Sequence, residues 1–574
     1  MELPARDPSV ANTSNAPTLN GSAAPSRVAS VTKASRPPSR SDSIRVSSDD
    51  DSLVVPVKDP APPFVVALCL FQSLAGLLFG WEQGVIAGLV QNGDYARRFG
   101  EPDPLSATGY TIPSTRQSLI TSFMSLGALF GALSMSTISA RLGIKVSYLI
   151  SLFIFMIGLA IETSAMNTWE QAMIGRLVTG YGVGALSLLA PLYQAECSPK
   201  HLRGLITGTY QLMATVGIFL SNAVNYSLHD RADAFSWRFP IAVQFIFAGF
   251  IFLGTVFAPE SPRYFVQRGN LQQAQTNLAK LRGYSPEDPA IAREMDQIIK
   301  SVEQDKLAKS AGYLDCFKMK DRMFLRTMNG VLIQMGQQWT GVNFFFSYGN
   351  KFFATSGIAD SYLTQLILSA CNVGATFPGL LAVDRLGRRK LLFIGSFMMF
   401  SGQIVAGSMA ASHPNDPAYG KGLIFASCWF IAGFAASWGP LGWVVAAEQF
   451  PLRIAPYCVA LATASNWLNN FIIALIVPYI TDEGYGNLQT NITFLWAGTI
   501  ALFTVYTWAF IPETRGLSLA QVDELYLTRV PAWRSSSWTP YGSKEQGDDA
   551  QKLKLGAQSS HVEKVQRRDL ADEA

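Results

Sequence analysis

Gln334, Gln337, Gln338 and Gly341 stand at i, i+3, i+4 and i+7, so they share one face of a helix. A carboxamide donates and accepts hydrogen bonds at once and adds no charge. Three of them on one face suit a ligand whose hydroxyls do both. Asn343 comes nine residues after Gln334 (343 − 334 = 9) and would face the other way on an unbroken helix. For it to join the others the helix must break, and Gly341 is where a break costs least. The competing reading is that these amides bind neighbouring helices to one another in an apolar medium.

Two charges also sit in apolar surroundings: Glu82 in FGWEQG and Arg176 after Gly175. Each costs on the order of several kcal/mol there unless paired or hydrated. Nothing else in the chain resembles a reaction centre. There is no Walker loop, no Ser-His-Asp set among only four His, and no metal-ligand spacing. Cys69, Cys197, Cys316, Cys371, Cys428 and Cys458 form no CxxC pair and read as small hydrophobes rather than as disulfides or metal ligands. The expectation is a chain that is not an enzyme, uses no cofactor or metal and is not driven by ATP.

Stretches without charge explain where these polar residues must sit. The 574 residues are 49% hydrophobic and only 15% charged, which argues against several soluble domains. Charge-free runs cover 60–81, 117–140, 204–228, 239–259, 361–383, 391–415, 422–447 and 454–481, and a bilayer span needs about 20 such residues. Segments beginning near Val146, Glu170, Thr327 and Asn491 raise the count to twelve transmembrane helices. The lipid bilayer is therefore a partner. The net charge of +4 belongs to tails and loops and leaves no nucleic-acid footprint.

Basic residues set the orientation. Arg385, Arg388, Arg389 and Lys390 in one loop, and Lys200 and Arg203 in another, are read as cytoplasmic, which with an even helix count puts both termini inside. The expected organisation is a disordered Ser- and Pro-rich tail over 1–60, a six-helix half over 61–258, cytoplasmic linker helices over 259–326, a second half over 327–511 and a polar cytoplasmic tail over 512–574. The halves repeat: Arg141-Leu142-Gly143 recurs at Arg385-Leu386-Gly387 (385 − 141 = 244), Ala195-Glu196 at Ala447-Glu448 (447 − 195 = 252), and Pro259-Glu260 at Pro512-Glu513 (512 − 259 = 253). Parallel repeats of this kind place a solute site between the halves near the midplane and alternate access by rocking.

In order and at matching intervals, the motifs Gly175-Arg176, PLYQAECSPKHLRG from Pro191 to Gly204, PESPR from Pro259, QQWTGVN from Gln337, DRLGRRK from Asp384 and PETRGL from Pro512 carry a resemblance. Over residues 64 to 526 the chain resembles the sugar porters of the major facilitator superfamily, and EQFPLR from Glu448 with the Ser-rich tail resembles the fungal hexose type. The resemblance implies an all-α membrane fold of twelve helices in two pseudo-symmetric halves, carrying a monosaccharide such as glucose across the plasma membrane. To the candidates read from spacing, Gln334, Gln337, Gln338 and Asn343, it adds sugar contacts at Gln211, Asn372, Asn466, Asn470, Phe434 and Trp443. Trp438, beside Gly439-Pro440, is a further candidate aromatic.

The resemblance also implies that Glu82, partnered by Arg176, binds a proton in symporting relatives, while facilitative relatives can carry an acid there too. This chain has Glu where Asp is usual, one methylene longer. Glu196, Arg203, Asp384, Arg388, Arg389, Glu448 and Arg453 correspond to gating residues whose ion pairs latch the two halves. Ala140 and Ile144 stand where an acid and an Arg are usual, which predicts a weaker latch in the first half. Two other readings stay open: a membrane sugar sensor built on the same fold, and a carrier of a polyol or disaccharide.

Overall fold

The charge-free runs are helices. The computed structural model describes residues 63–104, 109–198, 203–307, 312–355, 358, 360–412, 417–451, 454–482, 484–517 and 519–540. Ten helices among them are long and apolar enough to cross a membrane alone: Pro63–Leu89, Ser114–Leu142, Ile144–Thr163, Trp169–Cys197, Phe235–Phe257, Ser361–Leu386, Arg388–Ser412, Gly420–Glu448, Ala455–Thr481 and Gln489–Phe510. Arg203–Leu228, which carries several polar residues, and the broken pair Met323–Gln338 and Val342–Thr355 complete twelve, numbered here as spans 1 to 12 in chain order. Between spans 6 and 7 lie three short helices, Pro262–Gln267, Leu271–Arg282 and Pro289–Leu307, with a small core of their own around Val266, Leu278, Ile291 and Val302. The end of the bundle nearest them is called the linker end below.

Two apolar cores fill the bundle. One is built from spans 1 to 6 and the other from spans 7 to 12, with Trp467 reaching into the first and Ile218 into the second. Lipid supplies no hydrophobic drive between helices, so close packing has to do it. Spans 2 and 4 do this with paired glycines at four-residue spacing. Gly127 and Gly131 lie directly against the Leu177 and Tyr181 carbonyls, and Gly180 and Gly184 against those of Met124 and Ala128.

The repeat read from the sequence is visible at the linker end. Gly143 and Gly387 both have positive φ, 92° and 89°, and each leaves room for a carboxylate where a Cβ would stand. Glu260 accepts from the backbone N–H of Ile144 at 3.1 Å and of Lys145 at 3.1 Å, and Glu513 accepts from those of Arg388 at 2.9 Å and Arg389 at 3.0 Å. The same carboxylate thus caps the N-terminus of spans 3 and 9, a favourable place for negative charge. Burial pushes the Glu260 carboxyl above its ordinary range, while the N–H donors of Ser261, Lys145 and Ile144 pull it down.

Span 7 breaks as its sequence requires. Its first piece ends at Gln338, the chain turns through Trp339–Gly341, and Gly341 has φ 86°. A Cβ there would stand 2.5 Å from Cγ of the Trp496 ring, so the position excludes side chains by conformation and by space. Gly341→Ala is therefore expected to cost about 1–3 kcal/mol. A thermal unfolding midpoint of the detergent-solubilised protein equal to wild type would refute this.

Beyond Glu513 the chain does not stay a featureless polar tail. Leu519–Leu527 is a helix, and Tyr526 donates to Gln449 at 2.8 Å and accepts from Asn329 at 3.2 Å. Trp533 stacks on Trp508 at 5.3 Å. Both contacts fasten this segment to the linker end of the second half.

Candidate functional site

Two breaks gather polar groups inside the bundle. After the break in span 7, Asn343 turns back and donates to Gln338 Oε1, so the break brings onto one side of the turn two amides that an unbroken helix would hold apart. Gln337 donates to the carbonyls of Trp438 at 3.0 Å and Gly439 at 2.7 Å. Those carbonyls lie at the second break, in span 10, where Phe434–Trp438 forms a π-turn ahead of Gly439-Pro440. Asn466 of span 11 donates to Gln334 at 2.8 Å and to Gln337 at 2.7 Å. Gln337 therefore ties spans 7, 10 and 11 together with both ends of its amide engaged.

Other groups around this junction remain open. Gln334 Nε2, Asn343 Oδ1 and the whole amides of Gln211 and Asn470 have no hydrogen-bond partner among the described residues. Gln211 comes from the first half, and its Nε2 lies 3.7 Å from where a Cβ on Gly439 would be. Asn372 in span 8 is buried with Oδ1 unpaired. Phe434 is buried in the π-turn, and Trp443 is half-buried one turn past the Gly-Pro step. Trp438, by contrast, turns to span 9 and donates to Ser396 at 2.9 Å, so it holds the π-turn in place. Asn469, which the periodicity did not single out, accepts from Trp339 at 2.8 Å and anchors the span 7 turn.

The buried charges form a second cluster, set entirely in the first half. Arg176 Nη1 donates to Glu82 at 3.2 Å, the pair that the resemblance implied, and also to Glu162 of span 3 at 3.4 Å. Gln244, at the start of the second piece of broken span 6, donates to the other oxygen of Glu82 at 2.7 Å. Neither Glu162 nor Gln244 was singled out from the sequence. The available signal was a lone carboxylate inside the apolar run of span 3.

Of the gating set, Arg388 pairs with Glu448 at 2.6 Å and Asp384 at 3.2 Å, all within the second half. Thr514 donates to the same Glu448 at 2.5 Å. Arg389 donates to the carbonyls of Thr507, Trp508 and Ile511 and so fastens span 9 to span 12. Glu196 accepts from Ser261 Oγ. Arg453 lies outside the described residues, as does the side chain of Arg203. At the equivalent place in the first half, Ile144 is buried and Ala140 exposed, so neither can make the Arg388-type pairs. Introducing Ala140→Asp with Ile144→Arg is expected to lower the fraction of protein open at the linker end by about two- to fivefold, the worth of one or two partly exposed pairs. Alkylation of a cysteine placed at Thr376, with reagent on the linker side, reads this, and an unchanged rate would sink the weaker-latch reading.

The halves meet at the end away from the linker. Asn350 donates to the Ala87 carbonyl at 3.1 Å, Tyr362 to that of Gly88 at 3.0 Å, and Ser114 to Asp482. Deeper in, Trp467 donates to Ser187 at 3.3 Å.

Comparison with known proteins identifies the family. Residues 68–526 match the family model described as sugar (and other) transporter. Hexose transporter 2 of Kluyveromyces lactis is 35% identical over 526 residues, covering 89% of this chain and 92% of that protein. The galactose transporter of Saccharomyces cerevisiae is 35% identical over 520 residues, covering 88% and 90%. Among solved structures, the proton:xylose symporter XylE bound to 6-bromo-6-deoxy-D-glucose superposes with a TM-score of 0.68 at 25% identity, covering 81% of this chain and 99% of that one. With twelve spans, two repeated halves and matches over nearly its whole length, the chain belongs to the sugar transporter family of the major facilitator superfamily and is a membrane transporter of sugar.

Proposed function

We propose that this protein carries a hexose, glucose first, across the plasma membrane by rocking its two halves about the amide junction of spans 5, 7, 10 and 11. The observation that carries this is the set of amide groups with no hydrogen-bond partner among the described residues, the whole amide of Gln211 from one half and Gln334 Nε2, Asn343 Oδ1 and the amide of Asn470 from the other. Uncharged groups that both donate and accept fit a polyhydroxyl ring and reject a carboxylate solute, and two relatives are named for hexose and galactose transport. Phe434 and Trp443 supply apolar surface for the C–H face of a pyranose. Basic loops at the linker end support a cytoplasmic position for that end and for both termini.

A proton accompanies the sugar, with the Glu82–Arg176 cluster as the coupling element; the structural neighbour XylE is a proton:xylose symporter. Radiolabelled glucose, galactose and xylose uptake in hexose-transport-deficient cells tests the reading. Glucose uptake that is competed by galactose is expected. Surface-localised protein that moves none of the three would overturn transport of these sugars and bring the sensor reading forward.

A further inference from the structure

Counting charge in the first-half cluster leaves one proton to be placed. Glu82, Glu162 and Arg176 are each no more than 3% exposed, so two carboxylates face a single guanidinium away from water. Fully ionised, the cluster would hold a net negative charge inside the bundle, which is among the costliest arrangements a protein can bury. One carboxyl must be neutral, and the geometry identifies which. Both oxygens of Glu82 accept hydrogen bonds, from Arg176 at 3.2 Å and Gln244 at 2.7 Å, as an ionised group requires. Among the described residues Glu162 accepts only the longer bond at 3.4 Å, and its Oε2 is buried without a partner.

Resting on the transport reading above, we propose that Glu162 is the carboxyl that takes up and releases the transported proton, one per sugar, while Glu82 remains the ionised partner of Arg176. Its place in the fold suits this. Glu162 is the penultimate residue of Ile144–Thr163, at the end of span 3 away from the linker, and Arg176 stands level with it, next to the Gly175 that packs on the Glu162 backbone. The other ionisable groups nearby on packed elements are Tyr95 of the helix Gly93–Phe99, whose phenol stands in the field of Glu162 and Arg176, and Arg238, which donates to the Ala165 carbonyl at 2.9 Å. Asp94 is held by Arg97, Arg98 and Trp237.

The step is a simple exchange: carboxylate plus proton gives carboxylic acid, and release restores the carboxylate. Once deprotonated, Glu162 competes with Glu82 for the same Arg176 Nη1. Gly175 packs against it so closely that a Cβ there would stand 2.8 Å from Glu162 N, so this competition is felt where spans 3 and 4 touch. Protonation is thereby linked to the packing of spans 1, 3, 4 and 6.

The test uses the full chain in proteoliposomes, comparing glucose accumulation under a one-unit pH gradient with glucose counterflow at equal pH. At one proton per sugar, such a gradient sustains about tenfold accumulation. Wild type is expected to approach that ratio, Glu162→Gln to show a ratio of one whatever its counterflow rate, and Glu162→Asp to retain accumulation with a displaced pH midpoint. Wild-type accumulation by Glu162→Gln would overturn the assignment, as would a wild type that exchanges glucose yet ignores the gradient. If Glu162→Gln fails to reconstitute, Glu162→Asp decides, and an unmoved midpoint overturns it. Absence of counterflow in the wild type removes the transport reading, and the proton site with it.

Discussion

Arg176→Ala is expected to cut the yield of monodisperse, detergent-extracted protein by more than about tenfold, because removing one partner of a buried ionic cluster costs about 3–5 kcal/mol. Arg176 is the one cation facing Glu82 and Glu162 at hydrogen-bond distance among the described residues, and all three are buried. Without it two carboxylates share a dry site, and spans 1, 3 and 4 lose the group that joins them. The cause can be separated from lost packing. Adding Glu82→Gln and Glu162→Gln removes the excess charge, so the triple variant is expected to regain much of the yield while losing accumulation driven by a pH gradient. Gel filtration of a fluorescently tagged protein reads both. A single variant as abundant and monodisperse as wild type would show that the cluster is hydrated and carries no such cost.

Gln337→Ala is expected to reduce glucose uptake by on the order of 100-fold at unchanged surface expression. Its Nε2 satisfies the carbonyls of Trp438 and Gly439 at the π-turn, and its Oε1 accepts from Asn466 at 2.7 Å. Truncation leaves these groups short of partners at about 1–3 kcal/mol each, and a tenfold change corresponds to about 1.4 kcal/mol. The loss falls on the element that must keep span 10 bent toward span 7. Asn470→Ala provides the contrast. Asn470 makes no hydrogen bond among the described residues, so its removal is expected to raise the KM for glucose several-fold and leave the thermal midpoint unmoved. If Gln337→Ala instead raised KM alone with the midpoint intact, Gln337 would be a sugar ligand and not the tie between spans.

Much of this arrangement is determined by the sequence alone. Absence of charge over eight span-length runs, with four shorter or charge-interrupted apolar segments between them, dictates twelve helices, because a bilayer cannot solvate exposed backbone or ions. The offset motifs dictate two halves, and the glutamine spacing with Gly341 dictates both the polar face of span 7 and its break. Each is a local or periodic property, recorded residue by residue along the chain.

What tertiary structure decided are the partners. In lipid, the side of a helix that meets another helix is as apolar as the side that meets acyl chains, so periodicity does not say which face packs where. Glu162 is not singled out by the sequence; the close approach of span 4 at Gly175 brings it beside Arg176. Gln337 looks like one of three equivalent amides until span 10 brings two carbonyls to it. Trp438 reads as a cavity aromatic, but it sits in a π-turn and bonds to Ser396 of span 9. Which amides hold the bundle together and which stay open for a sugar is settled by how the helices pack, since an amide offers the same donor and acceptor to a neighbouring helix as to a hydroxyl.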